Sequence, residues 1–300
     1  MTDPVTTGFL LVDKPQGWTS HDVVAKVRNK IGGKVGHAGT LDPMATGLLV
    51  LGVGGATRLL RFVQGADKEY LSTAMFGVAT DSLDADGAIL SREPLPVTAD
   101  QVTDAMDRFR GEIMQVPPMV SARKVEGRRL YELAREGKVV EREARPVVIH
   151  RLELVDFAPS EYPEVTFRTV CSTGTYVRTL ADDLARAVGG RAHLTALRRV
   201  RIGALDVSNA VSVEDAVAAA EAGEIERLVI TPADALSELP EIRVDDRMAD
   251  AVRNGRELPE ILIPLDVDPE SSIRIGDRHG ELIAVYRRDR TALRPEVVLS

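Results

Sequence analysis

One acid stands alone among glycines. In Gly36-His37-Ala38-Gly39-Thr40-Leu41-Asp42-Pro43-Met44-Ala45-Thr46-Gly47 the sole carboxylate is Asp42, so any chemistry done by this loop would be carboxylate chemistry. A residue before proline is pushed out of the helical region, and Gly36, Gly39 and Gly47 permit sharp turns or close approach of a ligand to the backbone. The apolar run Leu48-Leu49-Val50-Leu51-Gly52-Val53 that follows suits a buried strand, which would seat the acid on a rigid shelf at the edge of a core. Aspartate before proline is also a common turn starter, and both readings stand at this point. A phosphate-binding loop is excluded by the missing Gly-Lys-Ser/Thr ending, and a dinucleotide fingerprint by the spacing of Gly36 and Gly39.

Arg178 also calls for a reason. It falls in the first turn of an expected helix, where the dipole opposes a cation, and pairing with a carboxylate would account for it. The single cysteine, Cys171, excludes an internal disulfide and a thiolate zinc cluster and reads as a buried, inert thiol. His21, His37, His150, His193 and His279 show no metal-ligand spacing, so no metal is expected. Three acids in Thr80-Asp81-Ser82-Leu83-Asp84-Ala85-Asp86-Gly87 resemble a calcium loop only superficially, because the bidentate glutamate is missing; a tight hydrogen-bonded turn is the expected form.

The elements that must position these groups alternate in type. Phe9-Leu10-Leu11-Val12 reads as a buried strand, and Thr19 or Ser20 caps a helix that buries Val23, Val24, Val27 and Ile31. A short helix is expected over 57–63, a strand over 68–78, a capped helix over 98–111 burying Val102, Met106 and Phe109, and strands over 147–157 and 165–171. A helix runs from about 176 to Gly189-Gly190, a strand covers 202–207 and a helix 212–223. Beyond a boundary near 232–240, a short helix at 248–255 and strands at 261–263, 273–275, 282–287 and 297–299 make a small mixed domain. The fold class expected is α+β, with a mixed or antiparallel sheet flanked by helices.

The chain has 300 residues and a formal charge of −8, which argues at first against a nucleic-acid partner. The distribution of that charge points the other way: residues 1–205 hold 27 Lys+Arg against 25 Asp+Glu, and 206–300 hold 11 against 21. The acidity belongs to the C-terminal third, and a balanced first part with basic clusters can bind a polyanion. One such cluster is 121–151, with nine Lys+Arg against five Glu, including Arg123, Lys124, Arg128 and Arg129. It reads equally as an insertion folding over a polyanion and as a solvated hairpin. No stretch of about eighteen apolar residues is present and Met1-Thr2-Asp3-Pro4 does not open a signal peptide; a cytoplasmic protein without membrane association is expected.

Six blocks, in order, resemble the bacterial tRNA pseudouridine-55 synthases of the TruB family: Lys14-Pro15-Gln16-Gly17-Trp18-Thr19-Ser20-His21-Asp22, Gly36 to Gly47, Lys68-Glu69-Tyr70, Thr80 to Gly87, Lys124-Val125-Glu126-Gly127-Arg128-Arg129-Leu130-Tyr131 and Gly174-Thr175-Tyr176-Val177-Arg178. The resemblance covers roughly residues 8–210. It implies a pseudouridine synthase fold with a central mixed, largely antiparallel sheet, flanking helices and an RNA-binding cleft. The implied organisation is a catalytic domain over 1–235, with a basic insertion at about 119–146, and a small PUA-like domain over 236–300. The net acidity of that last domain, 10 Lys+Arg against 14 Asp+Glu, weakens phosphate contacts.

The implied reaction is isomerisation of uridine 55 in the T stem-loop of tRNA, exchanging an N1 for a C5 glycosidic bond. By the resemblance, Asp42 is the catalytic aspartate, Tyr70 the tyrosine stacked on the flipped base, and Arg178 the partner of the aspartate. Leu197 lines the same pocket, His37 helps to hold the opened T loop, and Tyr176 and Lys124 contact substrate. Extrusion of a stacked base requires replacement stacking, which an aromatic supplies. Asp84 reads as a hydrogen-bonding partner of the site, and without a second catalytic carboxylate a two-acid glycosidase is disfavoured. No cofactor is implied, and the chain is expected to work as a monomer with tRNA as partner and without an obligate protein partner. The competing expectation is an RNA-folding factor whose cleft remodels tRNA.

Overall fold

The computed structural model describes residues 7–118, 124–125, 128–129, 140, 142–259, 262, 271–289 and 292–299. Its strands in chain order are β1 (Gly8–Lys14), β2 (Val35–His37), β3 (Thr46–Val53), β4 (Lys68–Phe76), β5 (Val78–Thr80), β6 (Ile89–Arg92), β7 (Gly111–Gln115), β8 (Lys124–Val125), β9 (Arg128–Arg129), β10 (Arg145–Ala158), β11 (Glu164–Cys171) and β12 (Ala192–Ile202), then the short β13 (Leu205–Asp206), β14 (Val211–Ser212) and β15 (Val229–Ile230). The main sheet runs β14-β1-β3-β12-β4-β11-β10-β7, with β2 added to β3, β13 to β12 and β15 to β1. The β1–β14 and β3–β12 pairs are parallel. The other pairs are antiparallel. A second sheet, β16 (Glu241–Arg243), β18 (Ser272–Gly276), β19 (Leu282–Asp289), β20 (Ala292–Val298) and β17 (Leu258–Pro259) in that spatial order, closes the chain.

Seven helices flank these sheets among the described residues: α1 (Ser20–Ile31), α2 (Leu60–Gly65), α3 (Ala99–Asp107), α4 (Val177–Ala187), α5 (Val213–Glu221), α6 (Pro232–Ala235) and α7 (Asp246–Arg253). Capping chemistry sets their starts. Thr19 and Asp22 form a reciprocal capping box for α1, as do Thr98 and Gln101 for α3, each satisfying amides the helix leaves unpaired. Among the described residues no helix is long and apolar enough to cross a membrane.

Period-two alternation decides what each strand buries. In β1 and β3, Leu10, Val12, Leu49 and Leu51 meet Val23 and Val27 of α1 and Ala216 of α5. The opposite face, Phe9, Leu11, Leu48 and Val50, meets Leu59, Val63 and the side chains of Leu282, Val285 and Val297 from the second sheet. Further along, Tyr70, Ala74 and Phe76 of β4 and Val165 and Phe167 of β11 pack against Val102 and Met106 of α3 and Leu180 and Leu184 of α4. Each fully buried aliphatic or aromatic side chain contributes roughly 1.5–3 kcal/mol, so this layer holds β4, β12 and α4 in fixed relation.

The structure departs from the expected elements at three places. The strand expected over 68–78 breaks at Gly77, whose φ of 85° turns the chain, with an added Cβ meeting the Glu93 carbonyl oxygen at 2.6 Å. The strand expected over 202–207 is divided: Ile202 ends β12, the arginine-rich 192–202 at the centre of the main sheet, and after a turn at 203–204 Leu205–Asp206 pairs back on it as β13. The helix expected to reach 111 stops at Asp107, and Gly111, with φ of 87°, opens β7. Of the strand expected at 261–263 only Leu262 is among the described residues, and most of the insertion at 119–146 lies outside them.

Candidate active site

Asp42 is mounted from both sides. The amide of Leu41 donates to Ser20 Oγ on α1 at 2.8 Å, and the Pro43 carbonyl accepts from the Gly17 amide at 2.8 Å and from Lys14 Nζ at 3.3 Å. Lys14 is fully buried and directs its other hydrogens to the Trp18 and Pro15 carbonyls at 2.6 and 3.0 Å. The loop is therefore pinned to the end of β1 and to the first turn of α1, one residue to either side of the acid.

Arg178, the second residue of α4, reaches back to it. Its Nε lies 3.1 Å from Asp42 Oδ2, while Nη1 lies 2.9 Å from Asp84 Oδ2 and donates to the Ser82 carbonyl at 2.8 Å. The cation that the helix dipole opposes is thus balanced by two carboxylates. The 80–87 segment is the tight turn expected of it. Thr80 Oγ1 donates to the Asp84 carbonyl at 2.8 Å, Ser82 Oγ to Asp84 Oδ1 at 2.5 Å, and the Asp86 amide to the same oxygen at 3.2 Å. Leu83 takes a left-handed φ of 62°, which turns the Ser82 carbonyl and the Asp84 side chain toward the same guanidinium.

A cavity of about 260 Å³ opens over this pair, lined by Asp42, Arg178, Tyr70, Tyr176, Leu197 and Arg199 among others. Burial raises the Asp42 carboxyl above its ordinary pKa; Arg178 opposes that shift and the like charge of Asp84 adds to it. Desolvation and ion pairing act in opposite senses on one acid, and the side chain remains 36% exposed toward the cavity. Burial likewise raises the Tyr70 hydroxyl, with the Arg199 guanidinium opposing it.

The structure brings Asp42, Tyr70, Tyr176, Arg178 and Leu197 around one cavity. His37 does not line it. It sits on β2 with its ring edge-on to His21 at 5.3 Å, its Nδ1 buried without a hydrogen bond, and burial with the neighbouring His21 lowers its pKa. Lys124 belongs to β8, but its side chain lies outside the described residues. Among the described residues no cluster of His, Cys, Asp or Glu is arranged to hold a metal.

Three buried cations around the site are given no role by sequence reasoning, although Lys14 and Lys68 fall within the resembling blocks. Arg199 faces Tyr70 in the β12–β4 register and is 1% exposed, donating to the Leu48 and Gly39 carbonyls at 2.8 and 3.1 Å. Lys68 lines the cavity and donates to the Gln64 and Ala66 carbonyls, both at 2.6 Å; burial lowers its pKa to about 8. Lys14 is lowered to about 8 for the same reason. The available signal was spacing: Arg199 is two residues from Leu197 and Lys68 two from Tyr70, which places each pair on one face of a strand.

Known proteins share this architecture. A family model described as the TruB family pseudouridylate synthase N-terminal domain matches residues 25–177, and one described as the tRNA pseudouridylate synthase B C-terminal domain matches 178–238. The chain is 48% identical over 250 residues to the tRNA pseudouridine synthase B of Symbiobacterium thermophilum, covering 83% of this chain and 82% of that protein. It is 41% identical over 296 residues to the protein of the same name from Ralstonia nicotianae, covering 96% and 93%. Among solved structures it is similar to a chain of a Cbf5-Nop10-Gar1 complex, with a TM-score of 0.75 at 25% identity, covering 97% of this chain and 84% of that one. A chain of an H/ACA RNP bound to a substrate RNA containing 2′-deoxyuridine shares the fold with a TM-score of 0.75 at 24% identity, covering 98% of this chain and 85% of that one.

Proposed function

From the premise that this chain belongs to the TruB family and has the pseudouridine synthase fold, we propose that it isomerises uridine 55 in the T stem-loop of tRNA, with Asp42 as the catalytic carboxylate acting on a flipped-out base. Family membership already makes it a pseudouridine synthase of tRNA, an intramolecular isomerase, as its relatives are. The observation that carries the finer reading is the pairing of Asp42 with Arg178 at 3.1 Å in a cavity that also presents Tyr70 and Leu197.

Each group has a task in that reaction. Asp42 acts ionised, either attacking C1′ or assisting removal of a sugar proton, and Arg178 supports the charge that burial opposes. Tyr70 replaces the stacking that the base loses on extrusion, and Leu197 with the Tyr176 end of α4 confines the detached uracil while it turns. Water exclusion of this kind also strengthens every charge interaction inside the cavity. His37, outside the cavity, holds the opened T loop, and Lys124 contacts RNA from the basic insertion at about 119–146. In this reading residues 1–235 form the catalytic domain and 236–300 a PUA-like domain, and the protein works as a monomer in the cytoplasm.

Tritium at uridine C5 of a T-arm RNA reports the reaction directly, because attachment at C5 must release that hydrogen. Release by the wild type and its abolition in Asp42→Asn, with RNA affinity within a few fold, is the expected result. Binding without release would leave an RNA-folding factor as the better description, and normal turnover by Asp42→Asn would remove the central assignment.

A further inference from the structure

The helix that carries Arg178 begins without a cap of its own. Tyr176 occupies the N-cap position of α4 and offers no side-chain acceptor to the first turn. What holds it comes from across the fold. Gln115, the last residue of β7 and 2% exposed, accepts from the Tyr176 amide through Oε1 at 2.7 Å and donates through Nε2 to the Tyr176 carbonyl at 3.1 Å. The same carbonyl accepts the first helical bond, from Leu180 at 3.1 Å. The amide and carbonyl of one residue are thus both fixed by one carboxamide, and the orientation of that carboxamide is set by its partners.

We propose that Gln115 is a positioning residue for the reaction. Its bridge to Tyr176 fixes the first turn of α4, and with it the direction from which Arg178 meets Asp42 and Tyr176 faces the cavity. The inference rests on the function proposed above, and it adds a connection. Gln115 stands two residues before Pro117-Pro118, where the chain leaves the sheet for the basic insertion at about 119–146, and on return Arg142 Nη1 donates to the Pro117 carbonyl at 3.0 Å. The strand from which an RNA-contacting insertion departs is thereby tied directly to the arginine that supports the catalytic carboxylate.

Two substitutions separate positioning from bulk stability. Gln115→Met keeps length and removes both hydrogen bonds. Displacement of a reacting group by about an ångström can lower a rate about a hundredfold, so the single-turnover rate is expected to fall roughly 10- to 100-fold with tRNA affinity within about threefold. Gln115→Glu carries its own switch. A neutral carboxyl both accepts from the Tyr176 amide and donates to its carbonyl, whereas an ionised one only accepts and faces the carbonyl oxygen. Of the charged residues on the elements joined here, Arg145 is its register partner on β10, Arg142 donates to the Pro117 carbonyl in the return loop and Arg178 stands two residues beyond Tyr176 on α4; a guanidinium does not lose its proton in a protein.

Activity of Gln115→Glu relative to wild type should therefore rise as pH falls, with tRNA affinity constant. A third readout needs no turnover: with aspartate labelled at the carboxyl carbon, nuclear magnetic resonance should show Asp42 titrating at higher pH in Gln115→Met than in wild type, because its counter-charge has moved. A folded Gln115→Met with a wild-type rate and an unmoved Asp42 titration would overturn the proposal, as would a pH-independent activity ratio for Gln115→Glu. Should Gln115→Met fail to fold, the Gln115→Glu ratio decides alone. Absence of tritium release by wild type would instead sink the reading of function, and the Asp42 titration would still test the positioning.

Discussion

Removing Arg178 should move the acid limb of the pH-rate profile, and the geometry sets by how much. Two unit charges about 4 Å apart interact by about 4 kcal/mol at an effective dielectric constant of about 20. The Asp42 side chain is 36% exposed, so solvent screening reduces this interaction to roughly 1.4–2.7 kcal/mol. Arg178→Met should therefore raise the pH at which Asp42 ionises, because the charge that opposes its burial is gone. Asp84 complicates the single variant, since its buried carboxylate loses its partner and its like charge then acts on Asp42 unopposed. The double variant Arg178→Met/Asp84→Asn removes that charge as well. The expected order of acid limbs is wild type lowest, the double variant next and Arg178→Met highest. The assay is single-turnover tritium release over about pH 5 to 9, at RNA concentrations that saturate each variant. Below its limb, Arg178→Met should lose roughly 10- to 100-fold more activity relative to wild type than it does at the alkaline end. An equal loss at every pH would refute the reasoning, because Arg178 would then be acting on substrate or fold and not on the ionisation of Asp42.

Two further outcomes concern stability. Asp42 has a folded pKa above its unfolded value, so the native state binds more protons than the unfolded chain between those values and stability falls as pH rises through that window. Asp42→Asn should thus melt higher than wild type at about pH 7 and by a smaller margin at about pH 4, on a scale of about 2–4 °C per kcal/mol; a lower melting temperature near neutrality would contradict the sign. Gly47 has φ of 100° and an added Cβ would lie 2.2 Å from the Arg199 carbonyl oxygen, so Gly47→Ala must open the β3–β12 pairing and should lose at least about 3 kcal/mol by urea denaturation. Gly17, with φ of 83° and nothing near its missing Cβ, is the control: Gly17→Ala should lose only about 1–2 kcal/mol.

The parts of the site that the sequence made legible are those whose cause is local. Asp42 among glycines, the capping boxes at Thr19 and Thr98, and the turn at 80–87 depend on residues within a few positions of one another. Arg178 was conspicuous because its charge opposed the helix that carries it. The parts that stayed hidden depend on carbonyls far away in the chain. Arg199 is buried because Leu48 and Gly39, about 150 and 160 residues earlier, present oxygens to it, and no local pattern separates it from Arg198, which pairs with Asp13 at a half-open site. β12 itself was obscured by its irregular register, shifted between Leu194 and Ala196 and again between Arg199 and Arg201, which breaks the alternation a central strand would otherwise show. Gln115 looks like any polar residue at a strand end until Tyr176 is placed beside it.

These hidden residues explain how one carboxylate stays usable in a cavity rich in cations. Lys14, Lys68 and Arg199 all lie close to the site, and in the proposed reaction a full ion pair with any of them would make the Asp42 carboxylate less reactive by either route. Their hydrogens are instead directed elsewhere: Lys14 to the Pro15, Trp18 and Pro43 carbonyls, Lys68 to those of Gln64 and Ala66, and Arg199 to those of Leu48 and Gly39 and to the Tyr70 hydroxyl. They supply field without contact. Among the described residues the ion pair made by Asp42 is with Arg178, whose guanidinium also meets Asp84 and the Ser82 carbonyl. Asp42 therefore shares one guanidinium with Asp84, and that shared charge opposes its desolvation.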